Sequence, residues 1–425
     1  MRAGAWRRLL SRTLGACALL ATGVAAQDPA PAGPETPQEI FARAMRERER
    51  GDLHEAIRSF QAILDQHPGL NRARIELAVA YFHAMDHQAA LEQARRVLAD
   101  PSTPAAVRAN VERLIAQIEA EAEPHRFGGF GSIGLLYDSN VSAGPASPSY
   151  EVGGTLLSLD PNAVRRSDYA LTATLGGSHR YLSGLRPGIG GRDGALLWQS
   201  QALYSHVGYR NESAFDLQVL TLTTGPAWIS PPRLRASAPL HFDHLDLGSD
   251  HYLDIVGVSP AVTFSGPAGA EVQLDARLQR RAYRRSVDAG RDSRYTSTGL
   301  QVGRVVSGTT LQAGARRNRD DATEGRWDSR GSEWFGLVAR QIAERTTAYL
   351  RLTYLRTAYD QPDPVALTGR TDRETRVALG VSHRLGSGAD PWSISATLLD
   401  IDHRSDVPFY AFTRRQLGLT LTHTF

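Results

Sequence analysis

The groups best able to bind a metal or move a proton are His241, Asp243, His244, Asp246, Asp250, His251 and Asp254, gathered on one predicted strand end and the loop after it. Imidazoles and carboxylates together are a donor set for divalent first-row ions. The spacing works against that use. In a strand His241 and His244 point to opposite faces, so one ion reaches both only where the strand breaks between them. No metal is expected, and the cluster reads as an Asp-rich strand end. A second carboxylate run, Asp320, Asp321, Glu324 and Asp328, lies in a predicted loop from Asn318 to Arg330. Its spacing does not fit a calcium-binding EF-hand loop, and it reads as solvated. No GxSxG, HExxH or phosphate-cradling glycine loop stands at a strand–helix junction. An enzyme is not expected, nor a cofactor.

The element carrying the histidines is one of many strands of the same kind. From His125 onward apolar and polar residues alternate, which is the period of a strand with two unlike faces. In Glu271–Gln279 the residues Val272, Leu274, Ala276 and Leu278 share one face, and Glu271, Gln273, Asp275, Arg277 and Gln279 share the other. An aliphatic outer face opposite a charged inner one suits a barrel in lipid with a polar lumen. Fourteen such segments begin near residues 126, 167, 194, 215, 232, 252, 269, 294, 309, 331, 345, 372, 392 and 412. Short turns are expected at Pro231-Pro232, Gly266-Pro267, Ser307-Gly308, Ala343-Glu344-Arg345 and Gly386-Ser387-Gly388. Longer loops are expected at Ser139–Arg166, Arg284–Asp292, Asn318–Arg330, Asp360–Thr371 and Asp402–Tyr410. Their alternation predicts an outer-membrane barrel with both ends in the periplasm. The connection Tyr181–Gly194 is long for a periplasmic turn. Glu271, Asp275, Arg277, Arg351 and Arg376 are expected to face the lumen, pairing across strands or forming a solute filter.

The ends agree with this address. Leu417, Leu419, Leu421, His423 and Phe425 form one face of a final strand whose other face is Gly418, Thr420, Thr422 and Thr424. The terminal aromatic resembles the signal read by the barrel-assembly machinery. Arg2, Arg7, Arg8 and Arg12 precede an apolar run from Leu14 to Ala26, the pattern of a cleaved secretory signal over 1–26. A lipobox reading through Cys17 is the alternative. With ordinary cleavage Cys17, the single cysteine, leaves with the signal, and no disulfide or thiolate site follows. Past the signal no apolar run is long enough for a spanning helix. All 48 basic residues are Arg, yet the net charge of +3 is too small to argue for nucleic acid.

Between an Ala/Pro-rich linker at 27–36 and the barrel at 125–425, the period is helical. Ala44, Gly51, Ala56, Phe60 and Pro68, then Leu77, Ala78, Tyr81 and Ala90, resemble two tetratricopeptide repeats, with Met85 where the turn glycine belongs. The segment 37–122 is therefore expected to be a small all-α repeat domain closed by a capping helix. The resemblance implies a concave face of Gln38, Phe41, Met45, Arg48, Arg72, Ile75, Val79, Phe82 and His83, open to a polypeptide ligand. A plain helical hairpin packed on the barrel is the alternative.

The first strand, Phe127 to Tyr137, is glycine-rich and runs into Asp138-Ser139-Asn140-Val141. Within the Tyr137, Asp138, Ser139 and Asn140 motif, Asp138 and Asn140 favour a turn with side-chain-to-backbone bonds, and Tyr137 suits the lipid–water boundary. Following helical repeats, this string resembles the surface lipoprotein assembly modulators. That resemblance implies a periplasmic repeat domain, a fourteen-strand barrel, and delivery of a lipid-anchored or secreted protein to the cell surface. An exopolysaccharide exporter and a passive porin with a docking domain are the competing expectations. The implied partners are outer-membrane lipids, the assembly machinery and the protein cargo.

Overall fold

The computed structural model describes residues 35–425 except 153, 191, 232, 267–268 and 387–391. The expected signal and lipobox, most of the 27–36 linker, and parts of the turns at Pro232, Pro267 and Ser387 lie outside the described residues.

Five helices come first: α1 (Pro37–Glu49), α2 (Leu53–Gln66), α3 (Asn71–His83), α4 (His87–Ala99) and α5 (Ala105–Ala122). A capping box opens α1: Thr36 Oγ1 accepts from the Glu39 amide at 3.3 Å, and the Thr36 amide donates to the Glu39 carboxylate at 2.8 Å. Small residues let the helices close up. Ala44, Ala56, Ala78 and Ala90 are fully buried, as is Phe60, which meets Phe41 edge-on at 5.6 Å. The α1–α2 turn uses Gly51 at φ +79°, whereas the equivalent α3–α4 turn forces Met85 to φ +58°. A side chain there crowds the following carbonyl, so the second turn is strained.

The remainder is a closed wall of fourteen antiparallel strands: β1 (His125–Asp138), β2 (Asp168–Leu182), β3 (Ala195–Tyr209), β4 (Leu217–Ser230), β5 (Leu234–Ser237 with Leu240–Leu247), β6 (Asp250–Val258 with Ala261–Ser265), β7 (Ala270–Tyr283), β8 (Ser293–Val306), β9 (Thr309–Ala322), β10 (Ser329–Ala343), β11 (Thr346–Tyr359), β12 (Thr371–Arg384), β13 (Trp392–Ser405) and β14 (Phe412–Thr424). Pro239 and Pro260 split β5 and β6, because neither can donate to the ladder. The two interruptions face each other, and the Ser259 amide donates to the Pro239 carbonyl at 2.9 Å.

Closure is made by β1 against β14, from Phe130 opposite Thr424 to Asp138 opposite Gln416. The Gly129 and Phe425 amides each donate to the other residue's carbonyl at 2.9 Å. A Cβ on Gly129 would stand 2.4 Å from the Phe425 ring, so any side chain there must push the last aromatic off the first strand.

Alternate residues of each strand point outward, and these form an apolar band exposed to the surroundings. Ile133 is 66% exposed, Leu171 67%, Leu274 59% and Leu419 48%. A soluble protein would bury such a band; here it is the lipid-facing surface of a transmembrane barrel. No described helix is long and apolar enough to cross a membrane. Outward aromatics bound the band on both sides. Tyr137 with Tyr169 and Trp334 with Tyr354 stand toward one mouth; Phe127, Trp392 and Phe425 stand toward the mouth that adjoins the helices.

Two expected loops shrink. Asp320 and Asp321 belong to β9 and Asp402 to β13, because alternation continues through the charged residues to the strand ends. One connection at the far mouth is a tight hairpin: Leu247 pairs with Asp250 around Gly248 at φ +64°.

Candidate functional site

The mouth beside the helices is where two parts of the molecule meet, and two arginines make the joint. Arg186 donates to the carbonyls of Ala84 and Met85 at 3.0 and 2.7 Å. Arg233 donates to Asp52 Oδ1 at 2.8 Å and to the Arg50 carbonyl at 3.4 Å. Each guanidinium thus sits at the C-terminus of a helix, α3 or α1, where unsatisfied carbonyls and the helix dipole favour a cation. Arg186 belongs to the connection after β2 that is long for a turn. This connection is folded onto the wall: Trp228 Nε1 donates to the Pro187 carbonyl and Ser230 Oγ to the Asp193 carbonyl, at 2.9 and 2.8 Å. Beside the joint, burial pushes the His87 imidazole below its ordinary value, with Glu121 opposing and Arg186 adding to the effect.

The residues expected on a concave face come from α1 and α3, but they differ in availability. Phe41, Met45 and Ile75 are partly spent on the helical core. Arg48 is ion-paired with Glu76, and the Arg72 guanidinium lies 5.1 Å from the Phe41 ring centre. Gln38, Arg72 and His83 are exposed, and Val79 and Phe82 are half-buried. Phe82 is 5.9 Å from the His87 ring.

At the far mouth the Tyr137–Asn140 string locks the seam. Asp138 is fully buried on the inner side. Arg414 Nε and Nη2 approach its Oδ2 at 3.0 and 2.5 Å, and the Tyr209 hydroxyl and Gln416 amide donate to the same oxygen at 3.0 and 2.7 Å. Asn140, also fully buried, donates to the Gly144 and Thr413 carbonyls at 2.8 and 2.9 Å. Ser139 exchanges bonds with the Arg415 backbone at 2.9 and 2.8 Å. Tyr137 faces outward against Tyr169 at 5.1 Å. A neighbouring clamp that the sequence reading missed is Asp168, which accepts from the Asn211 and Glu212 amides at 2.7 and 2.9 Å. Its residue type after a loop was the available signal.

The lumen charges separate into engaged and free groups. Asp275 holds Arg316 at 2.6 Å across β7, β8 and β9. Arg376 pairs with Glu374, which accepts from His403 at 2.8 Å, and Asp372 beyond holds Arg370 at 2.7 Å. The Arg351 guanidinium lies 4.5 Å from the Phe335 ring centre. Among the described residues, Glu271 takes only a 3.4 Å bond from Ser265. Arg277 is exposed and has no partner among the described residues.

The histidine cluster divides between faces, as alternation requires. His241 turns inward to Gln279 at 2.8 Å, and Asp243 inward to Thr221 at 2.7 Å. His244, His251 and Asp254 turn outward, with ligand-type atoms within 4.8 Å of one another. Their geometry serves Asp254 rather than an ion. Its Oδ1 meets both imidazoles at 2.9 Å, and its Oδ2 holds Arg284 at 2.9 and 2.6 Å. A cation placed there would meet that guanidinium. Asp250 pairs with Arg285 at 3.3 Å, and Asp246 lies 3.4 Å from His244. The second carboxylate run is dispersed: Asp320 faces in to Arg281 at 2.7 Å, Asp321 out to Arg319 at 2.6 Å, Glu324 pairs with Arg326 at 2.6 Å, and Asp328 accepts from the Ala322 amide at 2.6 Å.

No protein-family model matches the chain, and no curated protein matches it. Among solved structures, similar chains include OmpT of Vibrio cholerae (8% identity, covering 72% of this chain and 99% of that one, TM-score 0.39). OccAB1 of Acinetobacter baumannii (8%, 71% and 97%, 0.38) and OprD of Pseudomonas aeruginosa (10%, 69% and 95%, 0.35) are others. The barrel rests on the continuous hydrogen-bonded ladder that returns from β14 to β1 and on the apolar band around it.

Proposed function

We propose that this protein is an outer-membrane delivery device. Its helical stack stands in the periplasm, holds a secreted or lipid-anchored polypeptide or its chaperone, and presents it in extended form to the barrel. The observation that carries the reading is the joint itself. Arg186 and Arg233 fasten the ends of α1 and α3 to one mouth, while Gln38, Arg72 and His83 on those same helices stay exposed. A domain serving only to stiffen the wall would have no need to keep a mixed polar and aromatic face open beside a mouth. This reading treats the helices as tetratricopeptide-like and the whole as similar in plan to the surface lipoprotein assembly modulators.

The test is export. A small secreted or lipid-anchored protein encoded beside this chain is co-expressed with and without it, and protease-accessible cargo at the cell surface is measured. Dependence on this chain is expected, with loss on Arg72→Glu combined with Gln38→Arg. No dependence for any neighbouring protein would overturn the reading. A passive channel is the second reading, favoured by the exposed Arg277 on the inner face, which has no partner among the described residues. It predicts anion-preferring single-channel conductance in planar bilayers that Arg277→Gln reduces.

A further inference from the structure

Beyond export, the outer surface of the far mouth carries an arrangement that a barrel in water would avoid. The strands are thirteen to fifteen residues long, whereas about nine to eleven tilted residues cross a bilayer. Their far ends therefore rise past the hydrocarbon. On that margin each of β7 through β14 carries at least one outward Arg, with Asp321 on β9 and Asp400 and Asp402 on β13 the outward carboxylates among them. Register sets like charges directly opposite one another: Arg280 against Arg294, Arg319 against Arg330, Arg356 against Arg373, and Arg373 against Arg404. Directly opposed like charges destabilise a sheet unless something lies between them.

Carboxylates answer only part of this charge. Arg319 takes Asp321 at 2.6 Å, Arg373 takes Asp406 at 2.8 Å, Arg404 takes Asp402 at 2.7 Å, and Arg415 takes Asp400 at 2.9 Å. Arg330 reaches Asp360 at 3.3 Å. Arg280, Arg294, Arg317 and Arg356 are exposed and have no partner among the described residues. One step toward the membrane from these residues stand Leu278, Thr296, Ala315 and Tyr354, with the Trp334 ring tilted against Tyr354 at 5.8 Å. The guanidinia thus lie just above the aromatic boundary, at headgroup depth.

We propose that this arginine margin binds the phosphate groups of a phosphorylated glycolipid in the outer leaflet, of the bisphosphorylated lipid A type. The inference rests on the orientation given above, with the helices in the periplasm. Acyl chains would lie on the Leu278–Leu300–Leu352 band, and each phosphate would accept from two opposed guanidinia. Arg suits this role better than Lys, since its planar fork bonds phosphate oxygens in pairs.

The experiment uses the full chain purified in detergent and mixed micelles of bisphosphorylated lipid A, its dephosphorylated form, or phosphatidylglycerol. Retained lipid is counted by native mass spectrometry. The wild type is expected to retain the bisphosphorylated form preferentially. Combining R280Q, R294Q, R356Q and R373Q should lower retention at least tenfold, while R340Q on the outward face near the opposite mouth leaves it unchanged. Equal retention of the dephosphorylated lipid or of phosphatidylglycerol, or no loss in the quadruple variant, would overturn the proposal. Heat-modifiable migration confirms that each variant remains a barrel. Orientation is read separately by labelling Val287→Cys, in the 284–292 loop, with an impermeant maleimide on intact cells. Labelling without lipid discrimination overturns the lipid proposal alone; labelling only after lysis overturns the orientation and this proposal with it.

Discussion

Asp138 shows how much one side chain can hold when burial removes the alternative of water. Its carboxylate receives Arg414 and Gln416 from β14 and Tyr209 from β3. Asp138→Ala leaves the largely buried Arg414 guanidinium without its carboxylate, and uncompensated buried charge costs about 3 kcal/mol or more. The expected outcome is an earlier midpoint in guanidinium unfolding of the detergent-solubilised barrel, with Asp138→Glu less affected than Ala. At the other end of the seam, Gly129→Val places a Cβ against the Phe425 ring. A lower fraction of heat-modifiable, assembled barrel is expected in membranes, whereas Gly131→Val, whose Cβ would meet nothing within 4 Å, should leave it near the wild-type level.

Among the elements, the two helix turns differ by one residue type and so by strain. Met85 adopts the left-handed backbone that Gly51 adopts without a side chain. Met85→Gly should stabilise the helical stack by about 1 kcal/mol, read as a higher midpoint in the helical circular-dichroism transition. The carbonyl that Arg186 reaches at this position is backbone and survives the change. The strand number and the β1–β14 seam were legible in the sequence, because a period of two reports which face is greasy without any knowledge of neighbours. Helix positions such as Ala44, Phe60 and Ala78 were legible for the same reason, since small and aromatic residues recur where helices touch. The split of β5 and β6 was marked by Pro239 and Pro260, although the alternation on either side made each read as one strand. The partners of Asp138 were not legible. Arg414 is 276 residues away, and only the register of a closed wall brings the two together. The arginine margin is hidden likewise: each Arg reads alone as a strand-end charge, and its like-charged neighbour emerges only when strands are aligned.

On the scale of the whole molecule, the overlong Tyr181–Gly194 connection becomes the handle by which the barrel holds the helices. Arg186→Ala with Arg233→Ala should leave both parts folded but loosen the joint. Limited proteolysis should then cut between α5 and β1 faster than in the wild type, while heat-modifiable migration stays unchanged. If the delivery reading is right, surface export should fall in the same variant without loss of barrel in the membrane.

The distance along the chain between the two edges of the seam has a consequence in time. Contacts within the helical stack join mainly consecutive helices, so the stack can form as soon as those residues have emerged. The wall cannot close until β14 has arrived to meet β1. For that interval the chain is a folded helical stack tethered to an open, aggregation-prone ribbon of strands, and under the delivery reading proposed above a stack that bound cargo early would bring it to a door not yet built. On that reading, cargo capture and door construction must be kept apart by an order of events, and the arginine joint, which needs the β2–β3 and β4–β5 connections, sets the helical stack at the mouth only once that part of the wall is built.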